Sequence, residues 1–461
     1  MKIKLSVIYA FGTAVFLLSS LQSCHDLLDV NFPVSQIGSS QVFESVGSAD
    51  AALSNLYSDL QTYSLFSGGM EGAGALLGTY TDELISYELY TQNGTIDLYN
   101  NVQGSSNITV KAIWTTAYSE IYTANALIEG IEKSTAIGEE DRNRLKGEAL
   151  FLRSLLYFYL NQIYGDIPYT VTTDYTVNKS LNKTPSSELL LKIQDDLYTA
   201  VGLLKDDYRN PERIYPNRKT AELLLATVLM TRQEYAAAEP VLRGVVESAL
   251  YQWEPDVSAT FKKSGRHILW QLKPLQPYDP TNEALLYYFD SALPTTYSLS
   301  PDLDASFEAG DLRKQQWITE IPVGSAPFYR AGKYTRLIDN ADEYSVVFRL
   351  EEAYLLLAEA LAQQGKLTEA LPYLNAVKQK AETAAAPSSF TKEQLLNSIL
   401  DENRKEFFTE RGIRFITLKR ANRLSDLSLT KPQWKSHHQV WPLPFSELSL
   451  NPNLKPQNNG Y

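Results

Sequence analysis

The sequence is poor in the residues that build disulfides and metal sites. Its 461 residues include one cysteine and four histidines. A single cysteine excludes an internal disulfide. One cysteine and four histidines also make a zinc site built from these residues improbable. The chain also has no Walker loop, no GxSxG motif and no HExxH motif. We therefore expect a protein that has no cofactor, no bound metal and no catalytic centre.

Positive charge is scarce as well. Lysine and arginine number 42 against 54 aspartate and glutamate residues, which gives a formal net charge of −12, and no Lys/Arg-rich run occurs. Such a surface repels phosphate backbones, so we do not expect nucleic acid as a partner. The apolar share of 44% over this length is enough for a sizeable folded core.

The first residues have the pattern of a targeting segment. Two lysines precede an uncharged, mostly apolar stretch that ends in Leu21-Gln22-Ser23-Cys24, which resembles a bacterial lipobox. We predict a lipoprotein signal peptide over residues 1–23 and lipid modification of Cys24. An ordinary secretory signal with a chance cysteine is the alternative. Acyl chains that bury methylenes at about 0.8 kcal/mol each would hold the protein on a membrane without any spanning helix.

Helical patterns dominate the remainder, and we predict a mainly α fold for a single domain over residues 24–461. Glu148 to Tyr164 and Val346 to Gln364 are apolar on nearly every side, which is typical of buried helices. Amphipathic helices are predicted from Trp114 to Lys133, from Glu188 to Leu204 and from Gln394 to Leu418. Helical hairpins are therefore expected near residues 114–165, 188–250 and 346–420.

An internal repeat strengthens this interpretation. When the chain is shifted by 132 residues, ten of 25 positions from Ala221 to Val245 match those from Ala353 to Val377. Both copies read as helix, turn, helix, with Pro240 and Pro372 expected in the first turn of the second helix. Small residues at equivalent positions favour the close approach of tetratricopeptide-like hairpins, although two unrelated helical hairpins are the alternative. Stacked hairpins of this kind form a curved scaffold.

Two loop-rich regions interrupt the helices, near residues 82–113 and 251–344. They are rich in tyrosine, asparagine, glycine and proline, and loops carried on a rigid scaffold are common ligand sites. Aromatic rings can stack on the C–H faces of sugars, while Asn, Asp and Arg side chains bind hydroxyls. For each ring, packing in the core is the alternative. The candidate ligand-binding residues are Tyr87, Tyr90, Asn93, Tyr99, Asn101, Tyr287, Tyr288, Tyr297, Trp317 and Tyr329.

A series of motifs in a fixed order resembles the SusD/RagB family of outer-membrane nutrient-binding lipoproteins. The lipobox is followed by Asp26-Leu27-Leu28-Asp29, and the later motifs run to the end of the chain. They are Thr81-Asp82-Glu83, Trp114-x-x-x-Tyr118-x-x-Ile121-x-x-x-Asn125, Glu148-Ala149-x-Phe151-x-Arg153, Tyr164-Gly165-Asp166-Ile167-Pro168, Arg349-x-Glu351-Glu352-Ala353-Tyr354-Leu355, the segment from Glu402 to Arg420, Trp441-Pro442-Leu443-Pro444 and Gln457-Asn458-Asn459-Gly460-Tyr461. Asn403 and Glu410-Arg411-Gly412 depart from the family pattern, and the loops carry no family motif.

This resemblance implies a function. Members of the family sit on the outside of the Gram-negative outer membrane, held by lipid, and cap a SusC-type TonB-dependent transporter. They capture oligosaccharides, or peptides in some members, and release them unchanged. The resemblance thus implies a SusD-like fold with tetratricopeptide-like helices and an irregular ligand-binding region.

Three other functions stay open at this stage. The first is uptake of a peptide in place of a glycan. The second is cleavage of a substrate, as a surface glycoside hydrolase or peptidase. The third is a scaffold that completes the transporter complex and has no ligand of its own. We expect replacement of Trp317 by alanine to weaken glycan binding without unfolding the chain.

Overall fold

The helical patterns of the sequence become helices over most of the chain, as predicted. The structure is a computed structural model that describes residues 41–88, 93–324 and 326–461. The predicted signal peptide, Cys24 and Tyr90 lie outside these residues. The helices are α1 (Val46–Thr62), α2 (Ala73–Tyr80), α3 (Thr95–Tyr99), α4 (Ile108–Lys133), α5 (Glu139–Tyr164), α6 (Tyr175–Asn178), α7 (Ser186–Leu203), α8 (Arg218–Thr231), α9 (Tyr235–Val246), α10 (Asn282–Leu286), α11 (Pro301–Ala305), α12 (Leu312–Trp317), α13 (Leu350–Gln363), α14 (Leu367–Lys380), α15 (Lys392–Phe407), α16 (Ile413–Arg420) and α17 (Phe445–Leu450).

Short strands supply the rest of the regular structure. They are β1 (Leu84–Ser86), β2 (Ile268–Leu272), β3 (Tyr297–Leu299), β4 (Ile318–Val323), β5 (Ala326–Ala331) and β6 (Ser345–Arg349). Four of them form an antiparallel sheet in the order β1-β3-β5-β4, and β2 pairs with β6 in a second sheet. None of the helices that the structure describes is long and apolar enough to cross a bilayer.

The long helices begin and end at recognisable caps. Asn107 precedes α4, and its Oδ1 accepts hydrogen bonds from the backbone N–H groups of Thr109 and Val110, both at 3.0 Å. Helix α5 ends at Gly165, whose φ of 75° lies in the left-handed region that favours glycine. Nearly every residue from Leu145 to Tyr164 is buried, so α5 is the central helix of the fold.

The two copies of the repeat are neighbours in space. Helices α8 and α9 form one hairpin, α13 and α14 form the other, and α9 packs against α13. Polar contacts tie the copies together: Arg243 bonds to Tyr373 and Glu369 at 3.1 and 2.7 Å, and Lys366 bonds to Glu239 at 2.6 Å. The predicted stacking of hairpins is therefore confirmed, although an insertion separates the copies in sequence.

The proline positions differ from the prediction. Pro240 and Pro372 each stand sixth in α9 and α14, in the second turn instead of the first. Both helices begin earlier than expected because Glu234 and Lys366 act as their N-caps. A proline at this depth removes one internal hydrogen bond from each helix.

Two predicted helices are also interrupted. Val346, predicted as helical, lies in β6, and its helix begins only at Leu350. The expected helix from Gln394 to Leu418 breaks after Phe407, because Thr409, Arg411 and Gly412 all adopt positive φ. This break turns α16 away from α15 and positions the arginines described below.

Two apolar cores lie side by side within residues 43–461, which form one compact unit. The larger core is built by the helices around α5, α8 and α13. The smaller core lies under the four-stranded sheet and contains Leu84, Leu299, Phe261 and Trp317. The sheet is therefore covered on one face by its own core.

A buried network of ion pairs lies between the two cores. Arg349, at the end of β6, bonds to Glu406 at 2.6 Å and to Glu410 at 2.9 Å. Arg313 in α12 reaches Glu402 at 2.7 Å. Arg349 and Arg313 are each only 1% exposed, so their charges are neutralised by these carboxylates and not by water.

The C-terminal segment returns to the first helices. The backbone N–H of Trp441 donates to Ile163 at 2.6 Å, and Asn458 donates to the carbonyl of Tyr164 at 2.8 Å. The hydroxyl of Tyr80 in α2 donates to the carbonyl of His438 at 2.8 Å. The C-terminal segment thus packs against α2 and α5, from the first part of the chain.

Candidate functional site

A group of half-exposed aromatic rings lies on the face of the four-stranded sheet opposite its core. We call Tyr87, Tyr288, Phe328 and Arg330 the open-face cluster. Tyr87 follows β1 and contacts Phe328 of β5, with ring centres 5.8 Å apart at 65°. The guanidinium of Arg330 lies 5.0 Å from the ring centre of Tyr288, which is 47% exposed. The cluster therefore offers rings and a cation to solvent together.

Backbone pairing fixes the position of each member. The N–H of Tyr87 continues the strand ladder by donating to Thr296 at 2.8 Å, and its hydroxyl lies 3.2 Å from Ser298 Oγ. Arg330 donates to the carbonyl of Phe289 at 2.8 Å, which leaves its charge beside Tyr288. Rings held in this way lose little further freedom when a ligand stacks on them.

The start of β1 is anchored from below by the Thr81-Asp82-Glu83 motif. Asp82 accepts two hydrogen bonds from Arg414, at 2.9 and 2.8 Å, and pairs with Arg404 at 3.0 Å. Burial opposes ionisation of Asp82, but the two arginines outweigh it and lower its pKa. Burial and the neighbouring Asp82 raise the pKa of Glu83 to about 8. The motif thus holds β1 on α15 and α16, and all three of its residues are buried.

The segment after β1 carries three further predicted residues, of which Tyr99 lies near Tyr87 of the cluster. Asn93 is exposed and donates to the carbonyl of Ser106 at 2.7 Å. Tyr99 is half-buried, and its pKa is raised by burial and by the nearby Tyr87. Asn101 is only 2% exposed and donates to the carbonyl of Tyr80, so its role here is structural.

Lys431 supports Tyr99 from the interior. Its Nζ donates to the carbonyls of Thr79 and Tyr99, at 2.7 and 2.9 Å, and lies 4.1 Å from the centre of the Tyr99 ring. Burial lowers the pKa of Lys431 to about 7, with Asp82 acting in the opposite direction. A buried cation therefore fixes the ring that borders the open-face cluster.

Like Asn101, three predicted aromatic ligand residues are buried, and the expectation that they face a ligand is corrected. Trp317 is 2% exposed, its Nε1 donates to the carbonyl of Val257 at 3.1 Å, and its ring packs on Phe261 in the core under the sheet. Tyr287 and Tyr297 are 4% and 0% exposed and contact each other. Replacing Trp317 would therefore disturb the core, contrary to the expectation from sequence.

Strand alternation explains the position of the remaining ring. Tyr329 is paired with Leu299 and Glu320, so its side chain lies on the core side of the sheet, where it is half-buried at the rim. Its neighbours Phe328 and Arg330 take the opposite face. Sequence reasoning missed these two residues. The alternation around Tyr329 was the available signal, but it does not tell which face is open.

A large cleft lies elsewhere. It has a volume of about 670 Å³ and is lined by α5 and the segment from Leu203 to Asn217. Its inner charges are already paired, since Arg144 bonds to Asp50 at 2.9 Å and Arg209 bonds to Glu148 at 3.1 Å. The innermost charges of the cleft are thus engaged with each other, and the open-face cluster, which presents several half-exposed rings, is the better candidate for stacking on a ligand.

The side chains of the open-face cluster are suited to stacking and hydrogen bonding. Its rings supply flat apolar surface and Arg330 supplies hydrogen-bond donors, which together suit a polyhydroxylated ligand. Across the described ranges, no three His, Cys, Asp or Glu side chains are grouped so as to hold a metal ion. The cluster residues can therefore interact with a ligand by ring stacking and hydrogen bonding.

Comparison with known proteins agrees with this architecture. Residues 49–230 match the family described as "Starch-binding associating with outer membrane", and residues 328–461 match the "SusD family". The chain belongs to the SusD/RagB family.

Individual relatives cover nearly the whole chain. SusD-like protein P2 from Formosa agariphila is 25% identical, with 97% of this chain and 99% of that protein aligned. A SusD superfamily protein from Bacteroides vulgatus has a TM-score of 0.78 at 18% identity and covers 91% of this chain and 100% of its own. Surface glycan-binding protein A from Bacteroides thetaiotaomicron, in complex with laminarihexaose, has a TM-score of 0.73 at 16% identity over 89% and 99% of the two chains.

Proposed function

We propose that this protein captures oligosaccharides at the cell surface and delivers them to a SusC-type TonB-dependent transporter. The observation that carries the proposal is the open-face cluster, where Tyr87, Tyr288 and Phe328 stand half-exposed around Arg330. Aromatic rings can stack on the C–H face of a sugar, and a neighbouring hydrogen-bond donor can bind its hydroxyl groups. The laminarihexaose complex of surface glycan-binding protein A supports the same ligand class.

The location and partner form part of the same proposal. We infer that Cys24 carries a lipid anchor and that the protein faces outward on the outer membrane. The lipobox-like Leu21-Gln22-Ser23-Cys24 and the family description of association with the outer membrane support this. Membership of the SusD/RagB family supports the transporter as partner.

Binding of glycan at the open-face cluster is tested by calorimetric titration with laminarihexaose and maltohexaose. Replacing Phe328 with alanine removes a stacking surface and a contact of Tyr87, so we expect affinity to fall by about 1 to 3 kcal/mol, or roughly 5- to 150-fold. Arg330→Ala should weaken binding in the same direction, because hydroxyl contacts to the guanidinium are lost.

Tyr175→Ala is the matched control, because Tyr175 is 74% exposed on α6, away from the sheet. It should bind like the wild type. Unchanged affinity in both open-face variants, with circular dichroism confirming their folding, would contradict the proposed site. If neither glycan binds and a peptide library does, the ligand is a peptide and the glycan proposal is wrong.

We further infer that the protein releases its ligand unchanged, because the four described residues of the open-face cluster include none of the paired carboxylates that glycoside hydrolysis needs. Overnight incubation with laminarihexaose, followed by chromatography, should return the intact hexasaccharide. Shorter products would indicate a glycoside hydrolase instead.

A further inference from the structure

Tryptophan exposure separates one residue from the other five. Trp114, Trp270, Trp317, Trp434 and Trp441 are all buried, with at most 8% of each exposed. Trp253 alone is half-buried. A partly exposed indole is the largest flat apolar surface that a side chain can present, and such rings are common at binding sites.

Trp253 is held as a rigid platform. It packs against Tyr354 of α13, with ring centres 4.5 Å apart and an angle of 39°. Tyr354 in turn contacts Tyr373 of α14 edge to face, with ring centres at 5.7 Å. The indole is therefore fixed by the repeat hairpin and needs little ordering when a ligand stacks on it.

The indole forms part of a hollow of about 250 Å³ whose other walls are largely polar. This volume lies below that of a site for a drug-sized ligand and suits one or two sugar rings. Gln252 and Arg266 form one side, where the N–H of Gln252 donates to the carbonyl of Arg266 at 3.2 Å. Glu254, Lys262 and Ser264 also line the hollow.

Side chains of both charges line the hollow, and only some of them form ion pairs. Lys262 is already paired with Asp342 and Glu343, at 3.0 and 2.9 Å. Among the residues that the structure describes, neither Arg266 nor Glu254 has an oppositely charged partner within ion-pair distance. Arg266 contacts only Gln252, at 3.4 Å, and Glu254 accepts one bond from the N–H of Asp256, at 3.0 Å.

We infer that this hollow, the Trp253 site, is a second glycan-binding site that takes a neutral hexopyranose unit. The indole would stack on the C–H face of the sugar, Arg266 would donate hydrogen bonds to hydroxyl oxygens, and Glu254 would accept hydrogen bonds from hydroxyl protons. One free cation and one free anion suit an uncharged polyol better than an acidic sugar, which would meet the Glu254 carboxylate.

The Trp253 site is built from elements that contribute nothing to the open-face cluster. It lies on the loop from residue 252 to residue 266 and on α13, whereas the cluster lies on β1, β5 and the segment around Tyr288. Two separate sites on one chain would raise the affinity for a long polymer above that for a short oligosaccharide.

The test uses tryptophan fluorescence of the full protein, since Trp253 is the indole that a ligand can reach. A Tyr87→Ala/Phe328→Ala variant, in which the open-face cluster is disabled, is titrated with laminarihexaose, maltohexaose and a galacturonic acid hexamer. We expect a saturable fluorescence change with at least one neutral hexamer, which reports on the Trp253 site independently of the open-face cluster.

Substitutions at the hollow decide the assignment. Trp253→Phe should abolish the fluorescence change, and Arg266→Ala, an exposed position that keeps the fold, should weaken binding at least fivefold. Tyr175→Ala in the same background should leave the titration unchanged. No saturable change with any of the three hexamers, a change that survives in Trp253→Phe, or binding of the acidic hexamer alone would each overturn the inference.

Discussion

Lys431 is a single residue on which both the site and the core depend. It is 8% exposed, and its ammonium contacts two backbone carbonyls and the Tyr99 ring but forms no ion pair with any carboxylate that the structure describes. Burial therefore lowers its pKa to about 7, well below the value of about 10.4 for a lysine in an unfolded chain. Between these two values the unfolded chain binds more protons than the folded one.

The stability of the fold should consequently rise as pH increases from 7 towards 10. In Lys431→Met this rise should be smaller by up to about 1.4 kcal/mol per pH unit, because the titrating group is gone. Urea unfolding at pH 7.5, 8.5 and 9.5 measures the difference. Lys133→Met, at a side chain 79% exposed, is the control and should keep the wild-type slope. Parallel curves for wild type and Lys431→Met would mean that Lys431 stays charged in the fold.

At the level of secondary-structure elements, the sequence predicts the helices well and the strands poorly. The repeat helices could be predicted because their apolar residues recur at helical spacing and their small residues match between copies. Val346, Val347 and Phe348 were misassigned because a strand buried on both faces has no alternation, and a short apolar run then resembles a buried helix.

The residues of the candidate site could be predicted only in part, because the sequence does not show which face of a strand is buried. Tyr288 and Tyr87 could be proposed from composition, but Tyr297 and Trp317 could not be told apart from them. Which face a ring occupies is set by strand register, and a shift of one residue reverses every side chain. Register depends here on pairing between β3 and β5, which are distant in sequence.

Close packing of the repeat hairpins gives a prediction at this scale. Ala238 in α9 is fully buried, whereas the adjacent Ala237 is exposed. Ala238→Leu should destabilise the fold by about 1 to 3 kcal/mol, since extra methylenes must be forced between the helices. Ala237→Leu, the same change one residue away, should alter the unfolding free energy by less than about 0.5 kcal/mol. Equal effects of the two changes in urea unfolding would show that α9 tolerates a larger residue at its interface.

At the scale of the whole molecule, the buried ion pairs join the helical core to the sheet. Arg349 is 1% exposed and pairs with Glu406 and Glu410 at once. Removing it takes one buried cation from both carboxylates and leaves Glu406 with Arg313 and Glu410 with Lys333. Replacement of an ion pair by apolar residues can be harmless, but loss of one partner is not.

Arg349→Met should therefore lower the free energy of unfolding by about 3 to 5 kcal/mol. The measurement is equilibrium unfolding in urea followed by circular dichroism. Arg336→Met, which removes an ion pair with Asp342 from a side chain that is 53% exposed, should cost no more than about 1 kcal/mol. A small effect of Arg349→Met would indicate that water replaces the lost guanidinium.

The return of the last residues to α2 and α5 has a consequence for the order of assembly. The hydroxyl of Tyr80 donates to the carbonyl of His438, and the carbonyl of Ile163 accepts from the N–H of Trp441, so both bonds join early helices to residues far along the chain. A nascent chain can build hairpins early, but these two bonds form only after residues 438–441 have been synthesised. A chain truncated before residue 438 loses both bonds and should be cut by proteases faster than one that includes residues 438–441.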